Sequence, residues 1–445
     1  MLHRRQFLSA AAAAPALPRK PNVLFILADQ WRAQTLASAG DPDLIAPNLA
    51  RLAREGVTFT RTYVSNPVST PSRAALMTGR FPHACRMPHN DLLLPIEEKC
   101  IAQQLKQAGY STGYIGKWHL DGEARPGFVP PGPHRRGFDY WAAFNRGHFY
   151  YNSTYYLDED KPIRREGFEP DYQTDLAVDF IEKHKAGPFC LYVSWGPPHT
   201  PRTPPPRHAR TYRPEQFHLR ENVPLKYEDE ARKGHAGYYG LCTALDDNAG
   251  RLLQCLDRNG IARDTIVVFT ADHGDMLGSQ GLEHKGVPYE ESVKVPFLLR
   301  YPRRVAGGRS DDLLVSNVDL MPTLLGMCGV PIPEEAQGKN HSEWILSGTG
   351  QRPASIYAEG RLTSDGEWRM VVRGYDKLVV NTKLEVTHLY NLAQDPFEMN
   401  NLATDKATEH ARKRDELRAL LRRWILSTGD RVPYPAPGNR RKSDA

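Results

Sequence analysis

The sequence contains no long run of hydrophobic residues. In a chain of 445 residues, no segment after the N-terminal region reaches the roughly 18 consecutive apolar residues that a membrane-spanning helix requires. We therefore expect the mature protein to be soluble. The length suits one large α/β domain with a smaller addition, or two domains, and no internal repeat is present.

Cysteine is scarce and scattered along the chain. The six cysteines include no C-x-x-C pair, so a zinc site is not expected. Their positions suit buried small hydrophobic residues, and the sequence leaves a disulfide open because it cannot pair them. The six are Cys85, Cys100, Cys190, Cys242, Cys255 and Cys328.

Neither sign of charge is in large excess. The chain has 58 Lys and Arg against 52 Asp and Glu, a net charge of +6. The basic residues are dispersed, apart from a short tail at residues 440–442 that we interpret as a solvated end. This pattern predicts no nucleic-acid partner.

The N-terminus has the features of an export signal. Residues 3–8 (HRRQFL) form a twin-arginine pattern, and an Ala-rich stretch follows, with Ala-Pro-Ala at residues 14–16 suiting a signal peptidase. We predict that residues 1–18 address the protein to the Tat translocase and that the mature chain is periplasmic or extracellular. The alternative interpretation is a disordered basic start.

Four short apolar runs have the composition of buried parallel strands. They are residues 22–28, 111–115, 189–195 and 265–270, and helical patterns separate them, which predicts an α/β fold. A polar group follows each run, and parallel strands bring their carboxyl ends to one edge of the sheet. These polar residues are Asp29, Gln30, Lys117, His119, His199, Asp272 and His273.

Such a set of residues suits the transfer of a tetrahedral anion, sulfate or phosphate, because positioning and charge neutralisation dominate that chemistry. Taken singly, each residue has a plainer interpretation as a turn or surface residue. On an extended backbone, Lys117 and His119 would point to the same side. Residues 121–170 are aromatic and loop-like, which indicates either a substrate-facing surface or aromatic packing.

Residues 69–80 (STPSRAALMTGR) describe a short helix with a hydroxyl at its start. Pro71 is tolerated in a first helical turn and Gly79 suits the end of a helix. We expect Ser69 just before the helix N-terminus, where backbone N–H groups favour an anion, with Arg73 directed at the same anion. An ordinary capped helix is the alternative interpretation.

This stretch closely resembles the signature of the type I sulfatases, C/S-x-P-S-R-x-x-x-L/M-T-G-R, in its Ser-type form. Residues 109–120 (GYSTGYIGKWHL) resemble the second signature of that family, and Pro-His-x-Pro at 198–201 and the segment 283–296 extend the resemblance over most of the chain. In this family the first residue of the signature, here Ser69, is converted to formylglycine, for Ser-type members by a radical maturase.

The resemblance implies a role for each site residue. A hydrated formylglycine at Ser69 would be the nucleophile, polarised by Arg73 and the metal. Lys117 would bridge it to sulfate, His119 would act as the base, and His199 with Lys285 would bind sulfate and help the leaving alcohol. The metal, Ca²⁺ as the family's usual ion or else Mg²⁺, would be held by Asp29, Gln30, Ser69, Asp272 and His273. For His273, contact with sulfate or with the surroundings of the metal is an alternative.

The resemblance also implies the fold. We expect an alkaline phosphatase-like α/β domain, in which a large mixed, mostly parallel sheet is flanked by helices, with a small C-terminal α+β subdomain. The predicted boundaries are a signal peptide at 1–18, a catalytic domain at 19–350, the subdomain at 351–430 and a basic tail at 431–445. Composition supports the boundary near residue 350, where Gly and Pro accumulate.

Three functions follow from these patterns. The first is a sulfuric ester hydrolase acting on a sulfated carbohydrate or related sulfate ester through formylglycine. The second is a phosphomonoesterase or phosphodiesterase of the alkaline phosphatase superfamily that uses unmodified Ser69. The third is a non-catalytic binding protein for sulfated glycans, which the presence of every catalytic position disfavours.

Overall fold

The computed structural model describes residues 20–435 of the chain. The predicted signal peptide at 1–18 and the basic residues 440–442 lie outside this range, so both stay predictions. Within the described range, no helix has the length and apolar character needed to cross a membrane. All six cysteines are buried and unpaired, as expected of small hydrophobic residues.

The strands and helices of the described residues are numbered in chain order. The strands are β1 (Asn22–Asp29), β2 (Val57–Tyr63), β3 (Ser111–Lys117), β4 (Tyr140–Phe144), β5 (Tyr151–Tyr155), β6 (Ile163–Phe168), β7 (Phe189–Pro198), β8 (Thr265–Ala271), β9 (Phe297–Arg300), β10 (Arg309–Ser316), β11 (Ser355–Gly360), β12 (Trp368–Arg373), β13 (Asp376–Val380) and β14 (Val386–Asn391). The α-helices are α1 (Pro47–Arg54), α2 (Ser69–Thr78), α3 (Ile101–Gln107), α4 (Glu169–His184), α5 (Glu228–Arg258), α6 (Glu290–Val293), α7 (Leu320–Met327), α8 (Ser342–Ser347) and α9 (Thr408–Thr428).

A large, mostly parallel sheet forms the centre of the molecule. Its eight strands run in the order β10-β2-β9-β8-β1-β7-β3-β4, and β9 alone is antiparallel to its two neighbours. Every residue of β1, β7 and β8 is buried, because helices cover both faces of the sheet. The predicted fold class is confirmed.

A second, four-stranded sheet follows near the C-terminus. Strands β11 to β14 are antiparallel and in sequential order, and α9 packs on one face through Leu417 and Leu421. The small C-terminal α+β part was therefore predicted correctly. The boundary at residue 350 stays a prediction.

The loop-like interpretation of residues 121–170 is wrong. Strand β4 joins the edge of the large sheet, and β5 pairs with β6 in an antiparallel ribbon. Neither β5 (YNSTY) nor β6 (IRREGF) alternates between apolar and polar residues, so the pattern hid strands that are held by main-chain pairing. Helix α5 begins at Glu228, where acidic residues in its first turn favour the positive end of the helix.

A buried polar network links the end of α2 to the C-terminal elements. The Nδ1–H of His83 donates to Oε2 of Glu359 at 2.6 Å, and Glu359 lies near the end of β11. After α9, the carboxylate of Asp430 accepts hydrogen bonds from Tyr357 and Arg369. Burial disfavours the charged imidazole of His83, but Glu359 outweighs it and raises the pKa of His83.

Candidate active site

The carboxyl ends of the central strands carry the polar side chains that the sequence singled out. Asp29 ends β1 and Lys117 ends β3, His199 follows β7 directly, and Asp272 follows β8. All four strands are parallel and adjacent in the sheet, so their ends meet at one edge. Hydrogen bonds and ion pairs join nine of the ten predicted site residues, whereas the side chain of His119 contacts Asp91 instead.

Ser69 was predicted to lie just before the helix. It is instead the first residue of α2. Val68 precedes the helix with an extended backbone, and no side-chain capping hydrogen bond is present at this end. Instead, the Oγ atom of Ser69 lies 3.0 Å from Nε2 of His273. Gly79 ends the helix with a left-handed φ of 64°, as its position predicted.

Arg73, one turn along α2, faces the carboxylates. Its Nε–H donates to Oδ2 of Asp272 at 2.9 Å, and Nη2 lies 3.5 Å from Oδ2 of Asp29. Its Nη1 donates to the backbone oxygen of Lys117 and to Oγ of Ser194. The guanidinium therefore holds two strand ends and the helix together, and its predicted contact with an anion at Ser69 stays a prediction.

Asp29 and Lys117 form a fully buried ion pair between Oδ2 and Nζ. Burial opposes the charge of Asp29, but Lys117, His199, Arg73 and His273 hold its pKa well below the ordinary value. For Lys117, burial outweighs the carboxylate and lowers its pKa to about 8. The site therefore contains a lysine that loses its proton more easily than a surface lysine.

Asp29, Asp272 and His273 form a cluster with ligand atoms suited to a cation, all within 4.8 Å of one another. The Nδ1–H of His273 donates to the carbonyl oxygen of Gly274 at 3.0 Å, which leaves the Nε2 lone pair facing the carboxylates. Nε2 lies 3.7 Å from Oδ1 of Asp29 and 3.6 Å from Oδ1 of Asp272. Oδ1 of Asp29 is buried and has no hydrogen-bond partner among the residues that the structure describes, so this cluster fits a bound cation.

Gln30 lies beside this cluster but is engaged elsewhere. Its backbone has a left-handed φ of 68°, and its side-chain amide donates to Oδ2 of Asp275 at 2.7 Å. The side-chain oxygen accepts a hydrogen bond from Nζ of Lys285. In this structure Gln30 therefore orients Lys285, and its role as a metal ligand stays a prediction.

His199 and Lys285 form a second pair. Nζ of Lys285 lies 2.9 Å from Nε2 of His199, whose Nδ1–H donates to the carbonyl oxygen of Thr200. Burial, together with the positive charges of Lys285 and Lys117, lowers the pKa of His199 to about 3, so the ring is neutral. The ring of His148 stacks on it, with centroids 3.7 Å apart.

The C-terminal sheet contacts the loop that carries Lys285. Trp368 donates from Nε1 to the carbonyl oxygen of Gly286 at 3.1 Å, and Nε of Arg361 donates to the same oxygen at 3.3 Å. Gly286 has a left-handed φ of 91°. The position of Lys285 therefore depends on residues that lie far along the chain, in and beside the C-terminal sheet.

The extended backbone predicted through His119 is wrong. Strand β3 ends at Lys117, and His119 has a left-handed φ of 60°. Its Nε2 lies 3.0 Å from Oδ1 of Asp91, and its carbonyl oxygen accepts a hydrogen bond from Thr70. Burial and the charge of Lys117 lower the pKa of His119 to about 3, so the imidazole is neutral.

Sequence reasoning missed several residues of the site. Asp275 lies in the same Asp-His-Gly-Asp string as Asp272, and its carboxyl-end position was a usable signal. The others come from irregular segments, where no local pattern indicates which side chain turns inward. The missed residues are Asp91, Arg146, His148, Arg202 and Asp275.

The family comparison agrees with this geometry. A family model described as sulfatase matches residues 21–330, and one described as N-sulphoglucosamine sulphohydrolase, C-terminal, matches residues 278–424. The ulvan-active sulfatase of Formosa agariphila is 35% identical over 424 residues, which are 93% of this chain and 82% of the relative.

Solved structures show the same likeness. The structure of the putative sulfatase yidJ from Bacteroides fragilis has a TM-score of 0.87 at 30% identity and covers 96% of this chain and 99% of its own. A protein solved with its substrate D-glucosamine-2-N,6-O-disulfate has a TM-score of 0.83 at 25% identity, covering 93% and 99%. The phosphonate monoester hydrolase of Agrobacterium radiobacter shares the fold at 21% identity, with a TM-score of 0.75 and coverage of 92% and 95%. The chain therefore belongs to the sulfatase family, within the alkaline phosphatase superfamily, and is a sulfuric ester hydrolase.

Proposed function

We propose that this enzyme releases inorganic sulfate from a sulfated carbohydrate, with a formylglycine derived from Ser69 as its nucleophile. The observation that carries the proposal is the position of the Ser69 Oγ atom, 3.0 Å from His273 in a buried site that contains two carboxylates and three cationic side chains. The relative named for ulvan and the structure solved with a disulfated glucosamine support a sulfated glycan as the substrate class.

Residue 69 supplies the chemistry only after modification. A hydrated formylglycine provides one hydroxyl to attack sulfur and a second whose deprotonation releases sulfate, whereas a serine would be left as a stable alkyl sulfate. The start of α2 suits this role because the backbone N–H groups of a first helical turn favour negative charge. We propose a cytoplasmic radical maturase as the source of the modification.

The metal would be held by Asp29, Asp272 and His273 together with residue 69. Gln30 would join them if its side-chain oxygen gave up the hydrogen bond from Lys285 and coordinated the ion. A bound divalent cation stabilises negative charge on the nucleophile and on the sulfate oxygens. We propose Ca²⁺, with Mg²⁺ as the alternative, because most of these ligand atoms are oxygens. His273 brings a nitrogen ligand, which suits these ions less well.

The chain's own cations bind the anionic substrate. Lys117 is buried beside Asp29 and would bridge residue 69 and a sulfate oxygen, while Lys285 and His199, which contact each other, would bind the sulfate. Preorganised donors of this kind cost no reorganisation during the reaction, and removing one such donor typically lowers kcat by about 10²- to 10³-fold. His199 and Lys285 would also assist departure of the alcohol, with Lys285 as the proton donor of the pair because the His199 ring is neutral.

A phosphoesterase that uses unmodified Ser69 is the second candidate. The fold shared with a phosphonate monoester hydrolase is compatible with it, but this likeness concerns the fold alone. The test is a panel of sulfated mono- and disaccharides beside the matched phosphate esters, with Ser69→Ala as the control. We expect sulfate release that the Ser69→Ala variant lacks, and faster release of phosphate than of sulfate would contradict the proposal.

A further inference from the structure

Asp91, which no sequence motif indicated, contacts the imidazole of His119. Its Oδ1 atom lies 3.0 Å from Nε2 of His119, and the guanidinium of Arg146 pairs with the same oxygen. Burial raises the pKa of Asp91, but His119 and Arg146 outweigh it and lower that pKa. Asp91 is therefore a carboxylate, with Arg146 as its counter-ion.

Both partners are fixed to the residue that follows Ser69. The backbone N–H of Thr70 donates to Oδ1 of Asn90 at 3.0 Å, and the N–H of Asp91 donates to Oγ1 of Thr70 at 3.3 Å. That same Oγ1 donates to the carbonyl oxygen of His119 at 3.0 Å. The Asp91 loop, His119 and the start of α2 therefore form one hydrogen-bonded unit.

The backbone at the two partners is also unusual. Asp91 has a φ of 70° and His119 a φ of 60°, a left-handed conformation that is uncommon for residues other than glycine. Such conformations persist where the surrounding structure holds them, and they concentrate at functional sites. The pairing of Asp91 with His119 therefore joins two backbone positions that are both held against their ordinary preference.

The contact determines the tautomer of His119. A carboxylate can only accept hydrogen bonds, so the hydrogen of the neutral ring lies on Nε2 and the lone pair on Nδ1. Nδ1 is buried and has no hydrogen-bond partner within the described residues. The ring thus carries one buried nitrogen whose lone pair is free to accept a proton.

We propose that Asp91 is a positioning residue that holds His119 in the tautomer whose Nδ1 accepts a proton from a hydroxyl group at residue 69. The inference rests on the proposed function, with His119 in the role of base that the family resemblance implies for it. After the transfer, the imidazolium keeps its Nε2–H on Asp91, and the carboxylate compensates the new positive charge. Arg146 keeps Asp91 ionised, so that Asp91 accepts from His119 and does not donate to it.

The test compares kcat and KM for Asp91→Asn, Asp91→Glu and His119→Ala, with each rate divided by the fraction of residue 69 that mass spectrometry finds modified. Asp91→Asn keeps the shape of the side chain but can present an amide N–H to Nε2, which favours the wrong tautomer. We expect a loss in kcat of about 10²-fold or more, since an incorrect tautomer of a catalytic histidine can cost about 10⁴-fold. KM should change little, and Asp91→Glu should recover part of kcat.

Asp43→Asn is the matched control, because Asp43 also pairs with a histidine at 2.8 Å, the exposed His218. It should leave kcat unchanged. An unchanged kcat in Asp91→Asn, or a raised KM with normal kcat, would overturn the inference, and the latter would make Asp91 a substrate-binding residue. A His119→Ala variant with normal kcat would instead contradict the role of base that the resemblance implies for His119. Thermal unfolding of Asp91→Glu shows whether a lost rate reflects lost folding.

Discussion

Lys117 neutralises Asp29 within the protein, although the two residues end strands that are separated by β7. The pair is fully buried, so removing one partner leaves an uncompensated charge and typically destabilises a protein by about 3–5 kcal/mol. A variant at Asp29 thus loses stability for two reasons, ion pairing and cation binding. An experiment on the metal must separate them.

The change in Tm that the metal produces distinguishes the loss of cation binding from the loss of the ion pair. We expect Ca²⁺ to raise the Tm of the wild type, because a ligand at about 100 times its Kd stabilises the folded state by about 2.7 kcal/mol. The Tm of Asp29→Ala and of Asp272→Ala should be the same with and without Ca²⁺. Differential scanning fluorimetry with Ca²⁺, Mg²⁺ or EDTA measures these changes in Tm. Gln30→Ala should retain most of the change in Tm, since its oxygen is engaged by Lys285. Equal changes in the wild type and Asp29→Ala would refute a cation at this position.

Residue 69 can be examined directly by mass spectrometry. Trypsin cleaves after Arg61 and Arg73 and releases residues 62–73 as one peptide. In a host with a radical maturase, we expect this peptide to be lighter than the serine form by two hydrogen atoms. Protein made without the maturase is the control and should be inactive on sulfate esters. Full activity from a peptide that carries only intact serine would refute the modification.

The network around His83 predicts a pH-dependent contribution to stability. The pKa of His83 is raised in the folded state, so its contribution is complete below the unfolded pKa of about 6.5 and is lost as pH rises through the folded pKa. His83→Gln should therefore lower the free energy of unfolding at both values of pH, and the decrease should be larger at about pH 6 than at about pH 9. Urea denaturation at both values of pH measures the difference. A difference that does not change with pH would show that the pairing is not ionic.

Export is expected to follow folding and modification. A twin-arginine signal directs folded proteins outward, and a maturase must reach Ser69 before it is buried at the start of α2. We expect Arg4→Lys with Arg5→Lys to retain active, modified enzyme in the cytoplasm, measured by cell fractionation and the residue 62–73 peptide. Wild-type enzyme recovered from the periplasm should already carry the modification. Periplasmic delivery of the double variant, or cytoplasmic enzyme without the modification, would contradict this order.

The sequence predicted the residues that lie where parallel strands end, because strand topology alone brings such ends together. Asp29, Lys117, His199 and Asp272 were found in this way. It failed where position depends on contacts distant in sequence: Asp91 reaches its place through the start of α2.

Local patterns also misdirected two interpretations. Ser69 is a residue type that is common at the N-cap, but in the structure Val68, with an extended backbone, is the N-cap. The helix therefore begins at Ser69, one residue earlier than predicted. His119 follows a strand, yet its left-handed backbone turns it toward the Asp91 loop. In both cases tertiary hydrogen bonds outweighed the local preference.

The hydrogen bonds from Trp368 and Arg361 to Gly286 have a consequence for engineering this enzyme. A gene shortened after residue 350 would encode every predicted catalytic residue, yet the loop bearing Lys285 would lack both of its anchors. The His83 network would lose Glu359 and Asp430 in the same cut. We therefore expect no minimal catalyst from truncation of this chain, and exchanging the C-terminal region between relatives should alter turnover.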